Sequence, residues 1–305
     1  MASESNHMAY LLGALIAVGI AYFFFNPSGG QSKAVSVPAT NANANANADK
    51  LSAPVSDAIL HSSEYRKFKL TAKIQLSPNT ARYRFELPSS ESVLGLPIGR
   101  HIQLMAVIDD KDVMRSYTPT STDRDKGYFE LVVKTYPNGL ISSYLAAMEI
   151  GDTINVRGPS GAFRYTPNMS RAIGMIAGGT GITPMYQIIQ HILDNPEDKT
   201  VLSVLFANVN EDDILLREQL DKWAAEHENF NVHYVLNNPP EGWTGGIGFI
   251  NKELLQKHMP APADDIKVLI CGPPPMVKAM DSQLVELGYE KVKVISKPDH
   301  QVFKF

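Results

Sequence analysis

The spacing of apolar and polar residues changes twice along this chain and divides it into three regions. Residues 1–60 hold one uninterrupted apolar run, followed by a stretch rich in Pro, Gly and Ser. Residues 61–168 carry apolar side chains at alternate positions, which is typical of strands with one buried face. Residues 169–305 hold apolar runs of strand length between segments of helical spacing. We therefore expect a terminal segment, a β domain and an α/β domain.

The middle region predicts an antiparallel barrel built from short strands. Every second residue from Phe68 to Leu76 is apolar, so this first strand is expected to have one buried face. A second strand follows the turn signal Ser77-Pro78-Asn79 and is expected to bury Ala81, Tyr83, Phe85 and Leu87. The other predicted elements are strands at His101–Ile108, Tyr128–Tyr136 and Thr153–Arg157, and a helix at Ser142–Met148.

The last region predicts a parallel sheet with helices between its strands. A helix is expected through Met185 and Ile192, a second after a cap at Asp212 or Asp213, and a third at Val277–Leu287. Ligands of such sheets bind at the carboxyl ends of the strands. The predicted strands are Ile173–Ala177, Val201–Ala207, Val232–Leu236 and Lys267–Cys271.

The apolar run Ala9–Phe25 is seventeen residues long and has no charge, which is barely enough to cross a bilayer. A cleavable signal peptide and a buried core helix are the alternatives. The residues from Asn26 to about Ile59 contain an Asn-Ala repeat and no aromatic residue, so they predict an unpacked linker. We therefore expect a membrane anchor in contact with lipid. Lys33 and Lys50 follow it and place the globular part in the cytosol.

The amino-acid composition argues against several classes of protein and of site. Lys and Arg total 28 against 32 Asp and Glu, a net charge of −4, which argues against a nucleic-acid-binding protein. Cys271 is the single cysteine, so the sequence predicts neither an intrachain disulfide nor a cysteine-based metal site. A free thiol suits a reducing compartment. We expect no resident metal and a monomeric globular part.

Two segments follow strands of the α/β region. Gly179-Thr180-Gly181-Ile182-Thr183-Pro184 places glycines between a strand and a helix, where backbone N–H groups bind phosphate. A tight turn that needs glycine is the alternative. Cys271-Gly272-Pro273-Pro274-Pro275-Met276 ends another strand, and its prolines are expected not to begin an ordinary helix. Both segments are expected to face one crevice, although Cys271 also fits a plain buried position.

Two segments of the β region carry candidate ligand groups. Arg115-Ser116-Tyr117-Thr118 is expected to begin a strand, with a planar cation suited to a diphosphate and a phenol suited to stacking on a flat ring. Gly139-Leu140-Ile141-Ser142 opens the short helix and offers N–H groups to the same diphosphate. A surface arginine and a half-buried tyrosine are the alternative.

The order of these four segments resembles that of the ferredoxin-reductase-type flavoenzymes, above all the membrane-anchored branch that reduces cytochrome b5. The resemblance covers about Phe68 to Phe305. It implies an FAD-binding barrel at 61–168 and an NADH-binding domain at 169–305. It also implies hydride transfer from NADH to flavin N5, followed by single-electron transfer to cytochrome b5 or another small heme or iron protein. The alternative main acceptor is another iron protein, for example in diphthamide synthesis, a quinone or a ferric chelate. A membrane-tethered nucleotide-binding module without activity is a further alternative.

The resemblance also assigns residues. It implies that Tyr117, Thr118 and Lys134 act in catalysis, with Lys134 reaching cofactor phosphate or ribose. The chain departs from the family pattern at Leu140, Pro78 and Asn237, and Asn237 stands where an Asp contacts the adenosine ribose. The implied cofactor-binding residues are Arg115, Ser116, Tyr117, Thr118, Val132, Lys134, Gly139, Ile141, Ser142, Gly179, Thr180, Gly181, Thr183, Cys271, Gly272, Pro273, Met276 and Phe305.

An acidic acceptor protein is expected to dock by charge. The first two strands of the β region carry five cations on their polar positions. Antiparallel pairing would join them into one basic patch, although an ordinary solvated face is the alternative. The residues concerned are Lys67, Lys69, Lys73, Arg82 and Arg84. The reductases of this branch reside in the endoplasmic reticulum or the outer mitochondrial membrane, and the sequence does not choose between them.

Overall fold

Two six-stranded sheets make up the part of the chain that the computed structural model describes, residues 58–291, 293 and 295–305. The predicted membrane anchor and almost all of the predicted linker lie outside these residues. Within the described residues, no helix has the length and apolar character needed to cross a membrane.

The first sheet is antiparallel and has the strand order β4-β3-β6-β1-β2-β5. Just past β4, the Thr120 N–H donates to the Glu130 carbonyl of β5 at 2.9 Å, which links the two edge strands. One helix, α1, covers this sheet between β5 and β6. The elements are β1 (Arg66–Ser77), β2 (Thr80–Glu86), β3 (His101–Ile108), β4 (Lys111–Tyr117), β5 (Tyr128–Lys134), α1 (Leu140–Ala147) and β6 (Thr153–Ser160).

The second sheet is parallel, with the order β10-β9-β8-β7-β11-β12. Its central strand β7 is buried at every position, as expected for a strand covered on both faces. The elements are β7 (Ala172–Gly178), α2 (Ile182–Leu193), β8 (Val201–Asn208), α3 (Arg217–Glu226), β9 (Phe230–Leu236), β10 (Gly246–Ile247), α4 (Lys252–His258), β11 (Ile266–Cys271), α5 (Pro274–Glu286) and β12 (Val302–Lys304).

The prediction that β1 buries one face along its whole length is wrong. Phe68 and Leu70 are buried, but Ile74 and Leu76 are 45% and 47% exposed. Only Arg66–Lys69 pairs with β6, so the later half of β1 has a neighbour on one side alone. The buried face predicted for β2, by contrast, is confirmed, with Tyr83 and Phe85 almost fully buried.

Two further predictions about elements are wrong. Arg115 does not begin a strand: it lies near the end of β4, because a two-residue turn at Asp109 and Asp110, both with positive φ, joins β3 to β4. Pro274 does begin a helix, because the first helical positions need no N–H donor and proline already holds the required φ.

The cap predicted for the helix after β8 is also misplaced. Asp213 and Asn210 form a reciprocal capping box around a short 3-10 turn, Glu211–Asp213. The helix α3 begins later, after Leu216, whose φ is +59°. The N-cap is therefore Asn210 rather than either predicted aspartate, and Asp213 is the third residue of the turn at the carboxyl end of β8.

The folded part begins before residue 61, the predicted boundary. Leu60 is 6% exposed and packs in the core of the antiparallel sheet, and Ile59 packs against that core. The Arg66 guanidinium donates to the carbonyls of Ala58 and Ile59, and Gly158 N–H donates to His61 O at 3.0 Å. These contacts fix the entry of the chain into β1.

Polar contacts tie the two sheets together. Gln187 of α2 accepts from Gly99 N–H at 2.8 Å and donates to the Arg100 carbonyl at 3.2 Å. At the end of β5, Lys134 forms an ion pair with Asp213. These contacts set the spacing of the site that lies between the sheets.

Candidate active site

The carboxyl ends of β7 and β11 lie side by side, as their sequences predict. Ala177 is in register with Cys271. A Cβ on Gly181 would lie 2.1 Å from the Cys271 carbonyl oxygen, so only glycine fits there. Gly178 packs in the same way, because a Cβ on it would lie 2.8 Å from the sulfur of Met276. The two sequence motifs therefore form one wall of a crevice.

The glycine turn leads from β7 into α2 at this edge of the sheet. Gly179 has φ +53°, a conformation that glycine adopts without strain. No side chain caps α2, and the Thr183 hydroxyl donates to the Thr180 carbonyl at 3.1 Å instead. The Ile182 N–H donates to the carbonyls of Gly179 and Thr180, and Pro184 has no N–H. At most the Thr183 N–H therefore remains as a first-turn donor of α2 for a phosphate.

The end of β4 supplies a cation and a phenol from the other sheet. Arg115 is exposed, donates to the neighbouring Met114 carbonyl at 2.7 Å, and is in no ion pair among the described residues. Burial raises the pKa of Tyr117, although the nearby Arg115 charge acts to lower it. Tyr117 is therefore a neutral phenol at neutral pH. Ser116 is exposed, and Thr118 is buried beside it.

The start of α1 forms a second uncapped helix terminus. No side chain caps this helix, and the Ser142 hydroxyl donates to the Gly139 carbonyl at 3.1 Å. A Cβ on Gly139 would lie 2.2 Å from the Ser142 oxygen, which explains the glycine. Ile141 is buried and anchors the turn, while Leu140 is exposed. Gly139, Ile141 and Ser142 are thus placed where a diphosphate can approach the first-turn N–H groups.

Tyr136 joins the two sets of residues and was not predicted as a site residue. Its hydroxyl oxygen lies 3.7 Å from the position of a Cβ on Gly179, so it reaches the glycine turn of the other sheet. Tyr136 is also close enough to Tyr117 to raise the pKa of that phenol. The available sequence signal was an aromatic residue directly before Pro137-Asn138-Gly139.

Three residues that were predicted to bind a cofactor are in contact with other side chains of the protein. Val132 is 5% exposed and packs in the core that lies between β8 and α2. The Lys134 ammonium lies 2.5 Å from Asp213 Oδ1, and each side chain is 14% exposed. Phe305 is partly exposed and packs edge-on to Phe163 at 5.6 Å.

The cysteine thiol is not poised for covalent chemistry. Burial raises the pKa of the Cys271 thiol to about 11, so the sulfur is protonated at neutral pH. Met276 and Pro273 pack against the neighbouring Gly178. Cys271 and Gly272 therefore shape the wall of the crevice through their backbone.

Asn237 and Asn208 lie at adjacent strand ends of the parallel sheet. Asn237 Nδ2 donates to the Gly248 carbonyl at 2.9 Å, which holds the turn that leads into α4. Asn208 is 6% exposed, and neither atom of its amide group has a hydrogen-bond partner within the described part of the chain. Sequence reasoning did not single out Asn208, since one Asn after an apolar strand is a weak signal.

A register shift divides the basic patch expected on the antiparallel sheet. A register shift between Leu70 and Ala72 changes the face that later residues of β1 occupy. Lys73 is opposite the buried Tyr83, and its ammonium lies 5.9 Å from that ring. Lys73 is thus separated from the cations that precede the shift.

Two carboxylates offset part of the charge of the other cations in the expected patch. Lys69 pairs with Glu86 at 2.5 Å. Arg84 and Arg82 share Glu130, at 2.8 and 3.7 Å. The four cations Lys67, Lys69, Arg82 and Arg84 therefore keep a net charge of +2 with these two partners.

The residues present fit two dinucleotides. The two sheets contribute two helix N-termini without side-chain caps, an exposed guanidinium that is in no ion pair among the described residues, and glycines at 178 and 181 whose Cβ would clash with the neighbouring strand end. These groups are the donors that diphosphates require. The first set, around Arg115 and Gly139, suits FAD, and the second, around Gly179 and Cys271, suits NADH.

Comparison with known proteins agrees with this arrangement. Residues 67–165 match the family model of the oxidoreductase FAD-binding domain, and residues 175–282 match that of the oxidoreductase NAD-binding domain. NADH-cytochrome b5 reductase 1 of Mortierella alpina is 54% identical over 283 residues, which cover 93% of this chain and 94% of that protein. The protein of the same name from Debaryomyces hansenii is 49% identical over 295 residues, or 96% and 95% of the two chains.

A solved structure shows the same fold. The crystal structure of the cytochrome b5 reductase domain of Ulva prolifera nitrate reductase has a TM-score of 0.75 and 36% identity, covering 81% of this chain and 99% of that one. The matched domains and the site define a flavin- and NAD-dependent oxidoreductase. The chain belongs to the NADH-cytochrome b5 reductase family, and its cofactors are FAD and NADH.

Proposed function

We propose that this enzyme transfers electrons from NADH through FAD to cytochrome b5. The observation that carries the proposal is the contact between the two cofactor-binding segments: Tyr136, next to the flavin-side turn at Gly139, reaches Gly179 of the NADH-side turn. The names of the relatives, which span nearly the whole chain, support cytochrome b5 as the acceptor.

The side chains bind and orient the cofactors and do not react covalently. Arg115 and the N-terminus of α1 would hold the FAD diphosphate, and Tyr117 and Thr118 would bind the flavin. The turn Gly179–Gly181 and the strand end at Cys271 would hold NADH. FAD supplies the chemistry when bound, because it accepts a hydride and releases electrons singly. The neutral Tyr117 phenol and the protonated Cys271 thiol add no charge to this exchange.

We further propose that the enzyme is anchored to a membrane by Ala9–Phe25, with its catalytic part in the cytosol. The absence of charge in that run and the lysines that follow it support this orientation. The endoplasmic reticulum and the outer mitochondrial membrane are the proposed locations. A chain that begins at Ser56 should be released from membranes and remain active, because it keeps Leu60 in the core.

Acceptor kinetics test the proposed function. The rate of NADH oxidation is measured with cytochrome b5, a ferric chelate, a quinone and a small iron–sulfur protein as acceptors. The proposal predicts the highest kcat/KM with cytochrome b5. A higher kcat/KM with any of the other three acceptors would assign the enzyme to a different electron-transfer route.

A further inference from the structure

Asn208 ends β8 at the carboxyl edge of the parallel sheet. The preceding residue, Ala207, is in register with Gly178, which leads directly into the glycine turn. On the other side, Asn208 is in register with Leu236 of β9. The side chain is 6% exposed, and both Nδ2 and Oδ1 are buried without a hydrogen-bond partner in the described part of the chain.

A buried amide without a hydrogen-bond partner lowers the stability of the folded protein. Buried polar atoms are nearly always hydrogen-bonded, and an unpaired one loses its hydration without compensation. The positions of β8 that share its face, Leu202, Val204 and Phe206, are apolar and buried. An apolar residue at position 208 would continue this pattern, so the amide has a role other than packing.

The position points to a ligand. Leu202, Val204 and Phe206 pack in the same core as Ile188 and Ile189 of α2, so alternation puts Asn208 on the α2 side of the sheet. The uncapped N-terminus of α2 lies at the same edge of that face. A carboxamide at this edge offers N–H donors to a phosphate oxygen and an acceptor to a ribose hydroxyl.

We propose that Asn208 is an NADH-binding residue whose amide hydrogen-bonds to the ribose–phosphate portion of the dinucleotide. This inference rests on the NADH-dependent function proposed above. The side chain is 6% exposed, so the amide would rotate towards the dinucleotide on binding. Because no hydrogen bond within the described residues holds the side chain, this rotation breaks none.

The test separates binding from folding. Asn208→Leu removes the polar atoms and keeps the branching of the side chain, and Asn208→Asp replaces the donor with a charge that repels phosphate. The Kd of NAD⁺ for the FAD-loaded enzyme is measured by calorimetry, and the Tm is measured without dinucleotide. Asn229→Leu is the matched control, because Asn229 lies near the opposite edge of the sheet and donates to the Thr200 carbonyl at 3.0 Å.

We expect Asn208→Leu to weaken NAD⁺ binding at least tenfold without lowering the Tm, and to raise KM for NADH more than it lowers kcat. Asn208→Asp should bind NAD⁺ more weakly still. Asn229→Leu should lower the Tm and leave the Kd unchanged. An unchanged Kd in Asn208→Leu, or failure of that variant to fold, would overturn the role of Asn208. A wild-type enzyme that binds no NAD⁺ would instead overturn the proposed function.

Discussion

Lys134 and Asp213 join the two sheets through an ion pair, with Nζ 2.5 Å from Oδ1 and each side chain 14% exposed. Lys134 ends β5, and Asp213 lies in the turn after β8. Asp213 is itself held by Asn210, whose backbone and side-chain N–H groups donate to it at 3.1 Å. Lys134, which the family resemblance assigns to the cofactor, therefore also links the FAD-binding and NAD-binding domains.

Asp213→Asn should destabilise the enzyme, because it leaves a largely buried ammonium without its counter-ion. We expect the free energy of unfolding in urea to fall by about 1–3 kcal/mol. Asp212→Asn is the control, since Asp212 is exposed in the same turn. Equal stability of the two variants would show that the ion pair contributes nothing to the joining of the domains.

The same pair predicts a pH dependence. Burial acts to raise the pKa of Asp213, but the hydrogen bonds and charge of Lys134, together with Asn210, hold it below its ordinary value. A depressed pKa adds stability above the unfolded value of about 4, and this contribution is lost as the pH falls through the folded pKa. The difference in unfolding free energy between wild type and Asp213→Asn should therefore shrink below about pH 4. A difference that stays constant to pH 2 would contradict this explanation.

Arg115→Ala should lose FAD. The guanidinium is exposed and is in no ion pair among the described residues. The main interaction that the variant loses is therefore the contact with the diphosphate. Removing one charge-assisted hydrogen bond weakens binding by about 1.5–3 kcal/mol, or roughly one to two powers of ten. The ratio of flavin to protein absorbance measures the effect. Lys111→Ala, at the opposite end of β4, should keep its flavin, and full occupancy in Arg115→Ala would remove this residue from the site.

Cys271→Ser should remain active, whereas Gly181→Ala should not. The Cys271 thiol is protonated at neutral pH, and its side chain only packs at the edge of the site. A methyl group on Gly181, however, would lie 2.1 Å from the Cys271 carbonyl oxygen and force the two strand ends apart. The rate of ferricyanide reduction is measured for each of the two flavin-loaded variants. An inactive but flavin-loaded serine variant would indicate thiol chemistry.

Asn237→Asp should sharpen the preference for NADH over NADPH by ~1–2 kcal/mol, roughly tenfold, because a carboxylate repels the extra 2′-phosphate. The same change removes the donor to the Gly248 carbonyl, so the Tm should fall. The ratio of kcat/KM for NADH to that for NADPH shows whether Asn237 takes part in nucleotide selection. A lower Tm with an unchanged ratio would limit Asn237 to holding the turn.

The sequence predicted those features that depend on local pattern. Period-two alternation predicted β1, β2, β3, β5 and β6 but not β4, and the glycine and proline segments were placed correctly at the ends of β7 and β11. It did not predict features that depend on register or on contacts distant in sequence. The shift after Leu70 separated the expected basic patch, and the partner of Lys134 lies 79 residues away. Asn208 was missed for the same reason, since only the fold shows that its amide has no partner.

An anaerobic titration with NADH tests the central claim most directly. The purified enzyme should be yellow, and one equivalent of NADH per flavin should bleach its absorbance. Cytochrome b5 added afterwards should restore the colour while becoming reduced, with twice as many moles of cytochrome as of NADH consumed, since each heme takes one electron. A colourless protein, a flavin that NADH does not bleach, or a bleached flavin that cytochrome b5 leaves unchanged would contradict the account.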